Sequence, residues 1–299
     1  MTAKIINGKE IAASLKLEIA KQVEKIKKDL HVTPSLAVIL VGNDPASEVY
    51  VGNKEKAAHL VGMNSLQYKL AEDISQEALI AQIEELNADK KIHGILVQLP
   101  LPKHIDAATV IRAIDYRKDV DGFNVINVGK LSVGEIDGDE KALIPCTPLG
   151  CMHLIKSDLG HDLSGLKAVI VGASNIVGRP LARLLMLEKC TVTIANSSTK
   201  DLKAECLQAD ILVSATGVAG LIKANMVKKN AVVIDVGINR ITLSDGKTKL
   251  VGDVDFENVK NVASAITPVP GGVGPMTIAY LLKNTLDCCA RLSAANKIL

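Results

Sequence analysis

Lys167-Ala-Val-Ile-Val-Gly-Ala-Ser-Asn-Ile-Val-Gly-Arg-Pro-Leu-Ala-Arg183 decides how this chain is read. Residues 168–171 are apolar and form a run short enough for a buried parallel strand. The pattern turns at Gly172 and resumes with helical spacing through Ile176, Pro180, Leu184 and Leu185. A strand that breaks at glycine into a helix leaves backbone N–H groups free at the helix start. With the helix dipole they form a seat for a phosphate or pyrophosphate. The dinucleotide fingerprint Gly-x-Gly-x-x-Gly reads here as Gly172-Ala-Ser174-Asn-Ile-Val-Gly178. Serine replaces the second glycine and the last glycine comes one residue late. Ser174 keeps a pyrophosphate slightly further from the backbone but offers it a hydroxyl. Alone, the stretch fits either a dinucleotide turn or a plain strand-to-helix turn.

The residues that follow favour the dinucleotide. A strand over 191–195 ends in Asn196-Ser-Ser-Thr-Lys200, three hydroxyls and a lysine with no carboxylate. That set suits a ribose 2′-phosphate better than a bare 2′-hydroxyl, so the reading leans to NADP over NAD. Buried strands over 210–217 and 231–237 each end in small or polar residues, Thr216 and Gly217 among them, where a cofactor would cross the sheet. Ile266-Thr-Pro-Val-Pro-Gly-Gly-Val-Gly-Pro-Met-Thr277 then reads as a constrained loop before a helix over 278–296. It is either a structural connector or, with Thr277 at the helix start, the wall of a site for a flat ligand or a nicotinamide.

Ahead of the fingerprint, Asn7 caps an amphipathic helix carrying Ile11, Leu15, Ile19, Val23, Ile26 and Leu30. A strand over 36–41 and the turn Gly42-Asn-Asp-Pro45 lead into a helix over 45–61. On it Tyr50 and Lys54 lie four apart and share a face. Lys54 belongs either to a solvated face with Lys56 or to the partly buried side that Ala57, Ala58 and Val61 continue. In the second case it is a candidate for proton chemistry. Strands over 64–70 and 94–99 flank a helix over 76–86. Gln98 interrupts an apolar run at the strand's C-terminal end, where ligands of parallel sheets bind; satisfying a neighbouring backbone group is the alternative. After a short helix over 107–114, Asp119 and Asp121 precede Gly122 as ordinary turn residues would. A break at Pro145-Cys-Thr-Pro148 is followed by a helix over 149–159 capped by Thr147, and the domain join is expected near here.

Strand and helix alternate throughout, which predicts parallel pairing with helices covering the sheets. The 299 residues, 48% of them apolar, suffice for two α/β units of ordinary size. Charge nearly cancels, 35 basic against 33 acidic residues, which excludes an electrostatic nucleic-acid binder. Two Phe, four Tyr and no Trp leave little for base stacking. No run approaches a membrane span and the N-terminus carries no apolar signal core, so a soluble, cytoplasmic chain is expected. The six cysteines and six histidines show no metal-ligand spacing; reduced, buried thiols and no metal are expected.

Over essentially its whole length the chain resembles the bifunctional methylenetetrahydrofolate dehydrogenase/methenyltetrahydrofolate cyclohydrolase family. The stretches that carry the resemblance are Tyr50-Val-Gly-Asn-Lys-Glu-Lys-Ala57, Val97-Gln-Leu-Pro-Leu-Pro102, Lys118-Asp-Val-Asp-Gly-Phe123, Pro145-Cys-Thr-Pro148, Gly172-Ala-Ser-Asn-Ile-Val-Gly178, Asp235-Val-Gly-Ile-Asn-Arg240, Gly252-Asp-Val-Asp255 and Thr267-Pro-Val-Pro-Gly-Gly-Val-Gly-Pro-Met-Thr277. The resemblance implies two α/β domains around a cleft and a homodimer. Residues 1–145, completed by the C-terminal helix 278–299, would form the folate-binding catalytic domain. Residues 146–277 would form a Rossmann-like NAD(P)-binding domain with a parallel sheet.

The implied activity is oxidation of 5,10-methylenetetrahydrofolate with NADP, then hydrolysis of the methenyl product to 10-formyltetrahydrofolate. Lys54 is then the central catalytic residue, flanked by Tyr50 and Gln98, and Asp121 holds the pterin. Leu99 and the loop residues Pro268, Pro270, Gly271 and Gly272 join the substrate site. Cofactor contacts fall on Gly172, Ala173, Ser174, Ile176, Val177, Ser197, Thr216, Gly217, Ile238 and Thr277. Ala173 stands where many relatives have Arg and Asn196 where His is frequent, and both bear on the choice between NADP and NAD. Two other readings remain open at this level: a dehydrogenase without the hydrolase, and a regulatory protein that binds NAD(P) without chemistry. No P-loop occurs, so formate–tetrahydrofolate ligase activity is not expected.

Overall fold

The structure is a computed structural model that describes residues 2–138, 140–242 and 246–295. In chain order it begins with β1 (Lys4–Ile5), α1 (Gly8–Leu30), β2 (Ser35–Val41), α2 (Pro45–Leu60), β3 (Asn64–Leu70), α3 (Gln76–Ala88) and β4 (Gly94–Val97). It continues with α4 (Ala107–Ala113), α5 (Val125–Val133), α6 (Cys146–Leu159), β5 (Lys167–Val171), α7 (Gly178–Leu187), β6 (Thr191–Ala195), α8 (Leu202–Cys206) and β7 (Ile211–Ser214). After a 3₁₀ turn at Ala224–Met226 come β8 (Val232–Asp235), β9 (Asn239–Thr242), β10 (Thr248–Val251), α9 (Phe256–Val259), β11 (Ala265–Ile266) and α10 (Val273–Ala295). Among the described residues no helix is long and apolar enough to cross a membrane.

The chain divides into two compact units. One joins Ala13–Cys146 to the residues from Ile278 onward; the other joins the N-terminus through Ala12 to Thr147–Thr277. The first unit is built on a three-stranded parallel sheet in the order β3-β2-β4. Its central strand is buried along its whole length, as expected of a parallel strand covered on both sides. The period of two divides its side chains between two cores. Ala37, Ile39 and Val41 pack with Leu79 and Ile83 of α3. Leu36, Val38 and Leu40 pack with Val51 of α2 and Leu281 and Cys288 of α10.

The second unit carries a six-stranded sheet in the order β1-β11-β8-β7-β5-β6, every described pairing in it parallel. From β5 the chain moves to β6 on one side, then crosses to β7 on the other. The strand order therefore reverses between β5 and β7, where open sheets of this kind bind ligands outside the carboxyl ends of their strands. An antiparallel hairpin, β9–β10, stands apart from this sheet.

Several expectations are corrected. Residues up to Ala12 do not sit with the first unit: β1 pairs with β11, and Lys9 N–H donates to Gly271 O at 2.9 Å. Helix α6 starts at Cys146, so Thr147 is inside it and does not cap it. Helix α10 starts at Val273 instead of 278, which puts Thr277 in its second turn. In both cases the proline read as a break, Pro148 or Pro275, occupies the first helical turn, where its missing N–H has no partner to lose. The end of the expected helix, 296–299, lies outside the described residues. Helix α7 begins at Gly178, after the turn that the helical spacing at Ile176 had suggested was already helix. Helix α5 was not foreseen; its Asn124 cap accepts from Ile126 N–H at 3.0 Å.

His93, just before β4, gives this fold a pH dependence. It is buried, and its Nδ1 accepts the Ser35 N–H at 3.2 Å, so the ring must stay neutral. Burial first, then the Lys118 charge, pull its pKa down to about 4. Its contribution is therefore complete above the unfolded value near 6.5 and is lost as pH falls from there through 4. Buried Asp119 and Asp235, raised to about 7 and about 6, run in the opposite sense. The His93→Asn variant keeps an acceptor but does not titrate, and so isolates the histidine. Urea unfolding at pH 7 and pH 4 is expected to show wild type losing on the order of 3 kcal/mol relative to the variant.

Candidate active site

Helix α2 owes its position to its ends. Asp44 caps it, accepting Ser47 N–H at 2.8 Å with Pro45 in the first turn, and Val61 closes it ahead of Gly62. Ala57, Ala58 and Val61 are buried. Lys54, one turn earlier, is half-buried, and Tyr50 is 42% exposed. The Lys54 ammonium donates to Gln98 Oε1 at 2.9 Å. Gln98 follows β4 directly, and its own N–H donates to Ile39 O at 2.9 Å, extending the sheet by one residue. Its side-chain amide has no freedom to flip, because Nε2 donates to Leu99 O at 2.7 Å and leaves only the oxygen for Lys54. The amide satisfies a neighbouring backbone carbonyl, as one reading of Gln98 expected, and its oxygen holds the lysine.

The loop after α4 separates two aspartates that look alike in sequence. Asp119 is fully buried and accepts from Gly122 N, Asn124 N and Asn127 Nδ2 at 3.1, 2.7 and 3.1 Å. Lys118 ties off the end of α3, donating to the carbonyls of Leu86, Asn87 and Asp89. These two residues build the loop. Asp121 is left to face Lys54: desolvation raises its pKa and the lysine charge opposes the rise. Cys146 lies close by, its thiol pushed well above the usual range by burial and then by Asp121. Asn284 of α10 ties this floor together, donating to Val120 O at 2.8 Å and Ile144 O at 3.0 Å. Neither Asn284 nor the Asp119 clasp carried a local sequence signal.

In the other unit, the turn after β5 is closed by tight backbone approach. Gly172 has φ +122°, and a Cβ there would lie 2.2 Å from Ala215 O; a Cβ on Gly178 would lie 1.9 Å from Gly172 O. Ser174 Oγ accepts the N–H groups of Val177 and Gly178 at 3.2 and 3.4 Å. The hydroxyl thus ties the turn to the first N–H of α7, and its hydrogen is still free to donate to a phosphate. Ala173 and Val177 complete the turn, and Ile176 projects from it, 45% exposed. A turn closed by backbone contact at both glycines and ending at a helix N-terminus fits a dinucleotide pyrophosphate.

Around it, Gly172 N–H bonds Ala195 O at the end of β6, which leads to exposed Ser197. The 196–199 turn is closed on itself by Asn196 N–H to Thr199 Oγ1 and Ser198 N–H to Asn196 Oδ1, both 2.9 Å. The next carboxylate along the chain, Asp201, caps α8 through Ala204 N–H at 2.9 Å. Thr216 and Gly217 follow β7 and are bonded to buried Asp253. Ile238 is 47% exposed, and Thr277 Oγ1 meets Thr147 Oγ1 at 3.0 Å. Pro268, Pro270, Gly271 and Gly272 form the loop between β11 and α10, braced through Gly271 O by Lys9. Asp253 and Asp235, which organise the loops on this unit, stood in the sequence only as parts of longer matched stretches.

Two family models match this chain: the catalytic domain of tetrahydrofolate dehydrogenase/cyclohydrolase over residues 6–121, and the NAD(P)-binding domain of the same family over residues 145–293. The bifunctional protein FolD of Cereibacter sphaeroides is 56% identical over 291 residues, 97% of this chain and 96% of that protein. The crystal structure of the bifunctional methylenetetrahydrofolate dehydrogenase/cyclohydrolase FolD from Campylobacter jejuni is 48% identical with a TM-score of 0.91, covering 96% of this chain and 99% of that one. The Trypanosoma brucei methylenetetrahydrofolate dehydrogenase-cyclohydrolase, solved with NADP cofactor and an inhibitor, is 36% identical with a TM-score of 0.91 and covers 97% and 98% of the two chains.

The closeness of the turn generates a direct test. Gly178→Ala is expected to lower stability by about 2 kcal/mol in urea unfolding, the usual penalty for forcing a methyl into a packed contact, and to weaken dinucleotide binding on the order of tenfold in a fluorescence titration.

Proposed function

The chain belongs to the tetrahydrofolate dehydrogenase/cyclohydrolase family, and from that premise we propose which residues carry its two reactions. The enzyme oxidises 5,10-methylenetetrahydrofolate to 5,10-methenyltetrahydrofolate with NADP and hydrolyses the product to 10-formyltetrahydrofolate. The Lys54–Gln98 hydrogen bond, on a half-buried helix face beside Asp121, is the observation that carries the residue assignment.

Asp121 accepts from the donor-rich edge of the pterin, ring N–H and exocyclic amine, as a bidentate pair. The exposed ring of Tyr50 offers an aromatic face to the flat substrate on the same side of α2. Leu99, through the carbonyl already bonded to Gln98, joins the folate contacts. NADP supplies the hydride acceptor; Gly172, Ala173, Ser174, Ile176, Val177, Ser197, Thr216, Gly217, Ile238 and Thr277 hold it. The Ser197 and Ser198 hydroxyls and Lys200, with no carboxylate among residues 196–200 and Asp201 turned to capping α8, favour its 2′-phosphate.

Oxidation leaves a cation delocalised over two folate nitrogens, so positioning governs that step more than acid strength does. In hydrolysis, water adds to the methenyl carbon, the bond from that carbon to one ring nitrogen breaks, and that nitrogen takes a proton. Of the two protons the water gives up, one ends on the nitrogen and one in solvent. Lys54 moves the proton between oxygen and nitrogen, and Gln98 aims it. The proposal extends to a homodimer in the cytoplasm; the six free, buried cysteines are compatible with a reducing compartment.

Lys54→Met is expected to lower hydrolysis of supplied methenyltetrahydrofolate at least a hundredfold, with NADP affinity kept within about twofold, because proton transfer is lost and the nucleotide seat is untouched. Hydrolysis at the wild-type rate would overturn the assignment. In side-by-side assays, kcat/KM is expected to favour NADP over NAD by about tenfold or more, the worth of one charge-assisted phosphate contact.

A further inference from the structure

Two buried aspartates in the nucleotide-binding unit hold the cofactor loop and the loop from Thr267 to Gly272 in one hydrogen-bonded chain. Asp253 is fully buried, yet its carboxylate is saturated. Oδ2 accepts from Thr216 N at 2.6 Å, Thr216 Oγ1 at 2.9 Å, Ser214 Oγ at 3.2 Å and Gly217 N at 3.2 Å; Oδ1 accepts from Asn239 Nδ2 at 2.9 Å. Asp253 in turn donates its backbone N–H to Asp235 Oδ1 at 2.9 Å. Asp235 also accepts from Gly237 N and Val254 N, both at 3.0 Å, and its own N–H donates to Thr267 Oγ1 at 2.8 Å. Asp235, Asp253 and Thr267 are all 3% exposed or less. The approach is so close that a Cβ on Gly252 would lie 1.8 Å from Asp235 Oδ2 and one on Gly237 2.1 Å from Asp253 Oδ1.

A buried carboxylate is costly unless its oxygens are paired, and these two are paired with loop N–H groups and, at Asp253, with the side chains of Ser214, Thr216 and Asn239. Each bond to a loop N–H fixes a backbone group that would otherwise be free to move. The relay runs from Thr216 and Gly217, outside the end of β7, to Thr267, the residue before Pro268. We propose that Asp253, Asp235 and Thr267 are positioning residues for the dehydrogenase reaction: one buried relay, anchored at Thr267, sets the Thr216–Gly217 loop assigned to NADP. The proposal rests on the residue assignment given under Proposed function. It goes beyond that assignment in naming three groups that touch neither ligand.

The two activities of this enzyme separate positioning from general damage. Hydrolysis of supplied methenyltetrahydrofolate relies on Lys54 and Gln98 and needs no hydride transfer, so the relay should matter little to it. Asp253→Asn keeps the shape but puts an amide hydrogen pair where two loop N–H groups and two hydroxyls now donate. Thr267→Val removes only the acceptor for Asp235 N–H, and Thr267→Ser restores it. The experiment measures NADP Kd by fluorescence, dehydrogenase kcat, hydrolase kcat and Tm for all three and for the Asp253→Asn/Thr267→Val double variant. In Asp253→Asn, NADP Kd is expected to rise at least fivefold and dehydrogenase kcat to fall at least tenfold, with hydrolase kcat within twofold of wild type.

Thr267→Val should lower dehydrogenase kcat at least threefold, Thr267→Ser should recover it, and the double variant should be little worse than Asp253→Asn alone. Unchanged dehydrogenase kcat, a parallel loss of both activities in folded protein, or losses that multiply in the double variant would each overturn the relay. If Asp253→Asn does not fold, the Thr267 pair decides the matter: loss in Val with recovery in Ser supports the relay, and equal rates overturn it. A wrong residue assignment would show separately, as a wild-type hydrolysis rate in Lys54→Met.

Discussion

The hydrogen bond from the Lys54 ammonium to Gln98 Oε1 is the contact on which the functional arrangement depends. It joins two elements far apart in sequence, the third turn of α2 and the residue that follows β4. Each partner arrives already constrained. The lysine is delivered by a helix whose start is fixed by Asp44 and whose next turn is buried through Ala57 and Ala58. The glutamine is held by a backbone bond to β2 and by its amide bond to Leu99 O. The amine therefore has a defined direction before any substrate arrives, which is what proton transfer at a fixed carbon requires.

Both units solve the same problem, holding irregular loops at the ends of parallel strands, and both use buried carboxylates that accept backbone N–H groups. In the first unit Asp119 clasps Gly122 and Asn124, so that Asp121 two residues on is presented toward Lys54. In the second, Asp235 and Asp253 hold the loops after β7, β8 and β11. Desolvation raises Asp119 to about 7 and Asp235 to about 6, the signature of a carboxylate kept for geometry at the expense of its hydration. His93 is buried on the same logic, neutral and accepting.

Local pattern made much of this legible. The alternation of buried runs with helical spacing gave the parallel sheets, and Asp44-Pro45 marked the start of α2 to the residue. The Gly172–Gly178 spacing located the turn whose backbone contacts leave no room for a side chain at either glycine. The four-residue interval between Tyr50 and Lys54 put them on one face, and the polar interruption at Gln98 marked a strand end. What stayed illegible depends on partners distant in sequence. Nothing near Asp119 distinguishes it from Asp121; the distinction comes from Asn127 and from where the chain turns. Asn284 is one polar residue in a long helix until Val120 and Ile144 come within reach. The starts of α6 and α10 were placed too late because proline stops a helix from the inside but is at home in its first turn.

The central claim is spatial: the amine of Lys54 meets the one-carbon bridge of the folate while Asp121 grips the pterin. A crystal structure with NADP and a non-reactive folate analogue tests it most directly. The account predicts Lys54 Nζ within about 4 Å of the bridge carbon, the reach of a contacting or hydrogen-bonded group, still bonded to Gln98, with the Asp121 carboxylate on the amine edge of the pterin. A folate bound elsewhere, with Lys54 pointing into solvent, would contradict it.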